Sequence, residues 1–131
     1  MRTRSAFVLL FLGLMLTAFG QQTKGDTIRM RLKDPSVADT AKLMDVIAYT
    51  FKWPRPTFDE LIKLIDEAYV IGTNNKRVNL CEQLLGCKVR LYNENNRGIE
   101  AFSICQEMKK LGETEHKDRI IAQSYYLRGN I

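Results

Sequence analysis

Three thiols and a single imidazole, Cys81, Cys87, Cys105 and His116, are the side chains with the most direct route to nucleophilic or metal chemistry. A cysteine–histidine dyad needs a third group to orient the imidazole. His116 instead stands among Glu113, Glu115, Lys117 and Asp118, the setting of a solvated surface residue. No glycine-rich phosphate loop, zinc-ligand spacing or nucleophile elbow occurs. Paired carboxylates such as Asp66 and Glu67 fall on the polar face of a helix. The sequence therefore offers no catalytic residue, no metal site and no cofactor, and predicts a protein that is not an enzyme.

What the cysteines can do depends on where the chain goes. Arg2 and Arg4 precede an uncharged run from Ala6 to Phe19, and Ala18-Phe19-Gly20 places small residues at the cleavage positions before Gln21. A basic start followed by a short apolar run is a secretory signal peptide. It is shorter than the roughly 20 apolar residues needed to span a bilayer. Residues 1–20 are thus expected to be removed, leaving a secreted, extracellular chain with no membrane span. They hold two of the 20 basic residues and none of the 15 acidic ones, so residues 21–131 keep a formal charge of +3. Both signs are interspersed along that remainder, which excludes a nucleic-acid partner.

The elements that must position the thiols follow from periodicity. Ile28, Met30 and Leu32 alternate with polar residues, which predicts a short extended arm over 21–33. Residues 34–131 read as one all-α domain, a compact bundle of about five short amphipathic helices. Asp34-Pro35 is a helix start, followed by a stripe of Val37, Ala41, Met44, Ala48 and Phe51 that ends before Pro54 and Pro56. Thr57-Phe58-Asp59-Glu60 is a capping box opening a second helix that Gly72 terminates. A third, from about Lys76 to Tyr92, carries two stripes: Val78, Cys81, Leu85, Val89 and Tyr92, and Leu80, Leu84, Cys87 and Leu91. An apolar helix of that kind packs on both sides and belongs at the centre. Gly86 weakens it, and a break there would leave residues 87–91 as a strand. The fourth helix points Phe102, Cys105, Met108 and Leu111 inward and ends at Gly112; the fifth packs through Ile120, Ile121, Tyr125 and Leu127.

The spacing of Gly86, Phe102 and Cys105, then Ala122, Tyr125 and Gly129, is similar to the small/large pattern of tetratricopeptide-type hairpins. It covers less than half the chain and lacks that pattern's tryptophan and proline positions. Packed antiparallel helices produce the same spacing, and no family is assigned.

An antiparallel hairpin with a loop near residue 95 sets Cys87 and Cys105 at nearly the same height. They are the predicted disulfide, closing a loop worth about 3 kcal/mol in the chain-entropy model. Cys81 and Cys87 would be about 9 Å apart along one helix and cannot pair. Cys81 is left as a free buried thiol or as an intermolecular thiol making a covalent dimer.

By elimination the sequence points to a small secreted binding protein acting on another macromolecule as signal, effector or inhibitor, with a protein partner. The expected contact residues are Trp53 and Arg55 at the first corner and Arg29, Arg31 and Lys33 on the arm. The alternative is an extracellular carrier of a small apolar ligand, its cavity lined by Met44, Phe51, Phe58, Ile62, Phe102 and Met108. Lys76-Arg77 is a dibasic pair expected to be ordinary surface charge at a helix start rather than a processing site. Intact mass spectrometry of the naturally secreted protein is expected to return residues 21–131.

Overall fold

The computed structural model describes residues 23–131, so the expected signal peptide lies outside the described residues. Those residues form six helices and no strand: α1 (Lys24–Lys33), α2 (Asp39–Tyr49), α3 (Phe58–Asn74), α4 (Val78–Glu94), α5 (Gly98–Thr114) and α6 (Asp118–Arg128).

The expected extended arm is a helix. The Thr23 hydroxyl accepts a hydrogen bond from the Asp26 backbone N–H, and the Thr23 N–H donates to Asp26 Oδ2, both at 3.2 Å. This reciprocal cap satisfies two otherwise orphaned amides and opens α1. Ile28 and Leu32 are four residues apart, so they share a helical face as readily as a strand face, and both are buried. Met30 points outward, 59% exposed.

Asp34 does not cap the next helix. Its carboxylate accepts from the Ser36 N–H at 2.8 Å and hydroxyl at 2.7 Å, folding residues 34–36 into a turn. α2 begins only at Asp39 and buries Leu43, Val46 and Tyr49. The expected stripe is therefore rotated by about one residue, and Met44 and Phe51 face solvent at 57% and 65% exposure. Thr57 does cap α3, its hydroxyl accepting from the Glu60 N–H at 3.3 Å. The Glu60 carboxylate turns away to accept from the Tyr49 hydroxyl at 3.3 Å, tying α3 to α2.

From α3 onward the chain is periodic. Helices start at residues 58, 78, 98 and 118, and the first three are each 17 residues long. The unit is a single helix and a three-residue turn repeating every 20 residues, not the two-helix hairpin of a tetratricopeptide. Each turn has a non-glycine residue in the left-handed region: Lys76 at φ 53°, Asn96 at 57° and His116 at 52°. The following N–H reaches back five residues, Arg77 to Gly72, Arg97 to Tyr92 and Lys117 to Gly112, at 2.8, 2.9 and 2.8 Å. The left-handed residue itself donates to the carbonyl three before it. These paired bonds are the Schellman stop of a helix. Gly72 and Gly112, expected as terminators, lie inside their helices.

Those two glycines work instead as points of close approach. A Cβ on Gly72 would fall 2.6 Å from Cys81 Sγ, and one on Gly112 would fall 2.8 Å from Ile121 Cγ1 and 2.9 Å from its backbone nitrogen. Three-residue turns make neighbouring helices antiparallel, and α4 touches α2, α3, α5 and α6. It is continuous through Gly86, and its two apolar faces serve two separate cores. Leu84, Cys87 and Leu91 pack with α1, α2 and α3, whereas Leu85 and Val89 pack with Ala101, Ile104, Cys105, Met108 and Ile120.

The turns and close contacts make opposite predictions for glycine. Lys76→Gly and His116→Gly are each expected to stabilise the fold by about 1 kcal/mol by removing the left-handed penalty. Gly72→Ala is expected to destabilise by about 1–3 kcal/mol, because overpacking against Cys81 exceeds the gain in helix propensity. Urea midpoints at constant m-value measure all three.

Candidate functional site

Two surface depressions of similar size flank α2. The first, of about 500 Å³, lies between α1 and α2 and is lined by Lys24, Thr27, Ile28, Arg31, Asp45, Ala48, Tyr49 and Lys52. The Arg31–Asp45 ion pair spans it at 2.8 Å. Lys24 beside Lys52 depresses the Lys52 pKa through their mutual hydrogen bond and, further, through burial and like-charge repulsion. Charged side chains rim this seam, and an ion pair closes it across the two helices.

The second, of about 490 Å³, is a groove over the outer surface of α4 with α2 and α6 as walls. α2 and the residues just after it contribute Ile47 and Phe51; α6 contributes Gln123, Tyr126 and Leu127. The floor is Gly86, Cys87 and Val89, and beyond the adjoining residues and backbone of α4 itself nothing lies within 4 Å of where a Gly86 Cβ would stand. The missing side chain therefore opens the floor. Four amides, Gln83, Asn93, Gln123 and Asn130, complete the lining. Phe51 and Tyr126 are 65% and 67% exposed, one on each wall.

Arg90 fixes one wall. Its Nη2 donates to the Thr50 carbonyl and hydroxyl, both at 3.1 Å, and its guanidinium lies 4.3 Å from the Phe51 ring centroid. Such stacking is worth roughly 0.5–2 kcal/mol and holds the ring in place. Glu94 then accepts from Arg90 at 3.4 Å and Arg55 at 2.7 Å, clamping the α2–α3 connection to the end of α4. On the other side Arg119 of α6 forms a two-pronged pair with Glu82 of α4, a carboxylate that is 7% exposed. Both walls are thus anchored to the floor helix by charge-assisted hydrogen bonds.

The expected contact residues are dispersed. Trp53 is 85% exposed on the α2–α3 connection, just beyond Phe51, and Arg55 on the same connection is paired with Glu94. Arg29 lies 3.6 Å from Glu67 and 3.7 Å from Asp26, Arg31 holds Asp45, and Lys33 is exposed at the end of α1. Residues two apart on a helix point about 200° apart, so these three cations do not form one patch. The apolar cavity expected for a carrier is not assembled either. Met44, Phe51 and Phe102 face outward, Met108 is fully buried, and Phe58 and Ile62 pack against the first core. The groove residues Gly86, Gln123 and Tyr126 were missed; the signal available was a glycine inside a helix whose flanks are apolar.

The Cys87–Cys105 disulfide is not formed: all three cysteines are free and buried. Height on the hairpin is right but azimuth is wrong. Cys87 faces α2, where the Thr50 hydroxyl reaches its sulfur at 3.5 Å, while Cys105 lies in the second core beyond the α4 backbone. Cys81 is 1% exposed against Gly72, which places it inside the protomer and out of reach of a second chain. Burial, with Glu115 adding to it, pushes the Cys81 thiol up to about 11, and burial also raises Cys105. Among the described residues no group of three His, Cys, Asp or Glu side chains is placed to hold a metal, and no helix is long and apolar enough to cross a membrane. A scan of protein-family models finds no match to the chain, and searches of curated proteins and of solved structures find none either.

Thiol titration checks this arrangement. A water-soluble disulfide reagent at pH 8 is expected to label no cysteine rapidly in the native protein and three in denaturant, because buried thiols react only on opening.

Proposed function

We propose that this chain is a small exported, non-enzymatic helical binding protein that holds a segment of another macromolecule in the α2–α4–α6 groove. The observation that carries this reading is the pair of exposed aromatic walls, Phe51 and Tyr126, facing a floor opened by Gly86. Exposed aromatic side chains are the usual anchors of a protein interface, and Phe51 is held in place by Arg90. Of the four lining amides, Asn93 and Asn130 donate to the Asn130 and Tyr126 carbonyls, while Gln83 and Gln123 offer donors and acceptors that match a peptide backbone better than a hydrocarbon. Trp53, two residues after Phe51, is exposed but does not line the groove. Arg29 and Arg31 are spent on ion pairs within the protomer and add little to it.

The second reading is a carrier of a small apolar ligand. It is favoured by the groove's volume, about 490 Å³, which lies within the range of small-molecule pockets. The open floor supplies a test for both. Gly86→Ala is expected to keep binding and gain up to about 1 kcal/mol of helix stability, whereas Gly86→Trp fills the groove without touching the core. Proteins retained from native extracellular fluid by wild type and Gly86→Ala, and lost with Gly86→Trp, support the macromolecular reading. Retention of the same proteins by Gly86→Trp overturns it. An apolar molecule extracted from wild type but not from Gly86→Trp moves the assignment to the carrier.

A further inference from the structure

The 20-residue period makes Arg77, Arg97 and Lys117 equivalent, each being the residue that precedes a helix. At one end of the bundle Arg97 is fully engaged: it pairs with Glu100 at 2.8 Å and stands over the Tyr92 and Phe58 rings at 4.8 and 5.3 Å. At the opposite end Arg77 and Lys117, with the left-handed Lys76, are exposed and make no ion pair or side-chain hydrogen bond among the described residues. Alternating helix direction brings these three cations together. They line one depression of about 330 Å³ with Thr40 and Asn79, and no carboxylate lines it.

We propose that this depression is a binding site for a compact phosphate-type oxyanion, held by Lys76, Arg77 and Lys117. Three cations converge here from two turns, and a tetrahedral dianion can be shared among them. The Thr40 hydroxyl and the Asn79 amide add neutral donors from α2 and α4. The starts of α2, α4 and α6 meet here and none has a side-chain cap, so their first amides add positive potential. Asp39 and Asp118 in the first turns of α2 and α6 offset it in part, while α4 has no acidic residue there. The dibasic Lys76-Arg77 pair lies in a tight hydrogen-bonded turn rather than an extended loop, which fits a ligand-holding role better than a processing site.

The site is read by titrating the full chain with inorganic phosphate, against sodium chloride at matched ionic strength, while following backbone amide resonances. Saturable shifts confined to Thr40, residues 76–80 and residues 117–119 are expected. Arg77→Gln/Lys117→Gln is expected to weaken binding at least tenfold, while Lys63→Gln/Lys110→Gln, which removes the same charge elsewhere, leaves it unchanged. Lys76→Gly, which eases the backbone, is expected to weaken phosphate binding about threefold in a protein that remains folded by circular dichroism. Shifts that fail to saturate, or equal weakening in the two double variants, overturn the site. Sedimentation with phosphatidic-acid vesicles but not phosphatidylcholine vesicles, lost in Arg77→Gln/Lys117→Gln, assigns the phosphate to a lipid headgroup; saturation by free phosphate without sedimentation assigns a soluble anion.

Discussion

Burial of α4 on two faces is the constraint on which the rest of the molecule depends. Its backbone divides the apolar interior into two cores, one shared with α1, α2 and α3 and the other with α5 and α6. A buried Leu or Ile contributes roughly 1.5–3 kcal/mol, so a helix that supplies Leu84 and Leu91 to one side and Leu85 and Val89 to the other links the stability of both. The strip of α4 between those faces is only partly covered, by contacts from the end of α2 to Arg90. That strip carries Gln83, Gly86 and Arg90, and it becomes the groove floor because α2 and α6 rise on either side.

The sequence reveals those parts in which a local signal and the tertiary demand agree. The two stripes of α4 are readable because every apolar residue in them is used, and Thr57 marks the start of α3 because its hydroxyl is needed there. Misreadings arise where one pattern satisfies two periods. Ile28 and Leu32 fit a strand as well as a helix, and only the Thr23–Asp26 cap separates the two. In α2 the aspartate and proline at 34–35 imitate a helix start, which shifts the expected phase and turns Met44 and Phe51 inward on paper. Glycine misleads for a different reason. Gly72 and Gly112 carry the usual mark of a helix end but are selected by close approach to Cys81 and Ile121, while the true stops use Lys76, Asn96 and His116.

The candidate site is less legible in the sequence than the fold. A groove is made by what is absent, here the Gly86 side chain, and by two helices whose starts, Asp39 and Asp118, lie 79 residues apart in the chain. The missed disulfide has a related cause. Level on a hairpin is fixed by counting residues, but the direction of a side chain changes by 100° per residue. Cys87 is two residues from Leu85 and so points to the other core. What did lie open to inspection was the recurrence of a basic residue at 77, 97 and 117, which marks the period of the whole second half.

That period has a consequence for how such a chain can change in length. Each 20-residue unit reverses the direction of travel, so adding or losing one unit would send every later helix the opposite way and move the carboxyl terminus to the other end of the bundle. Two units together restore both. Growth of this architecture is therefore expected in steps of 40 residues, with surfaces built from alternate turns either kept whole or lost whole.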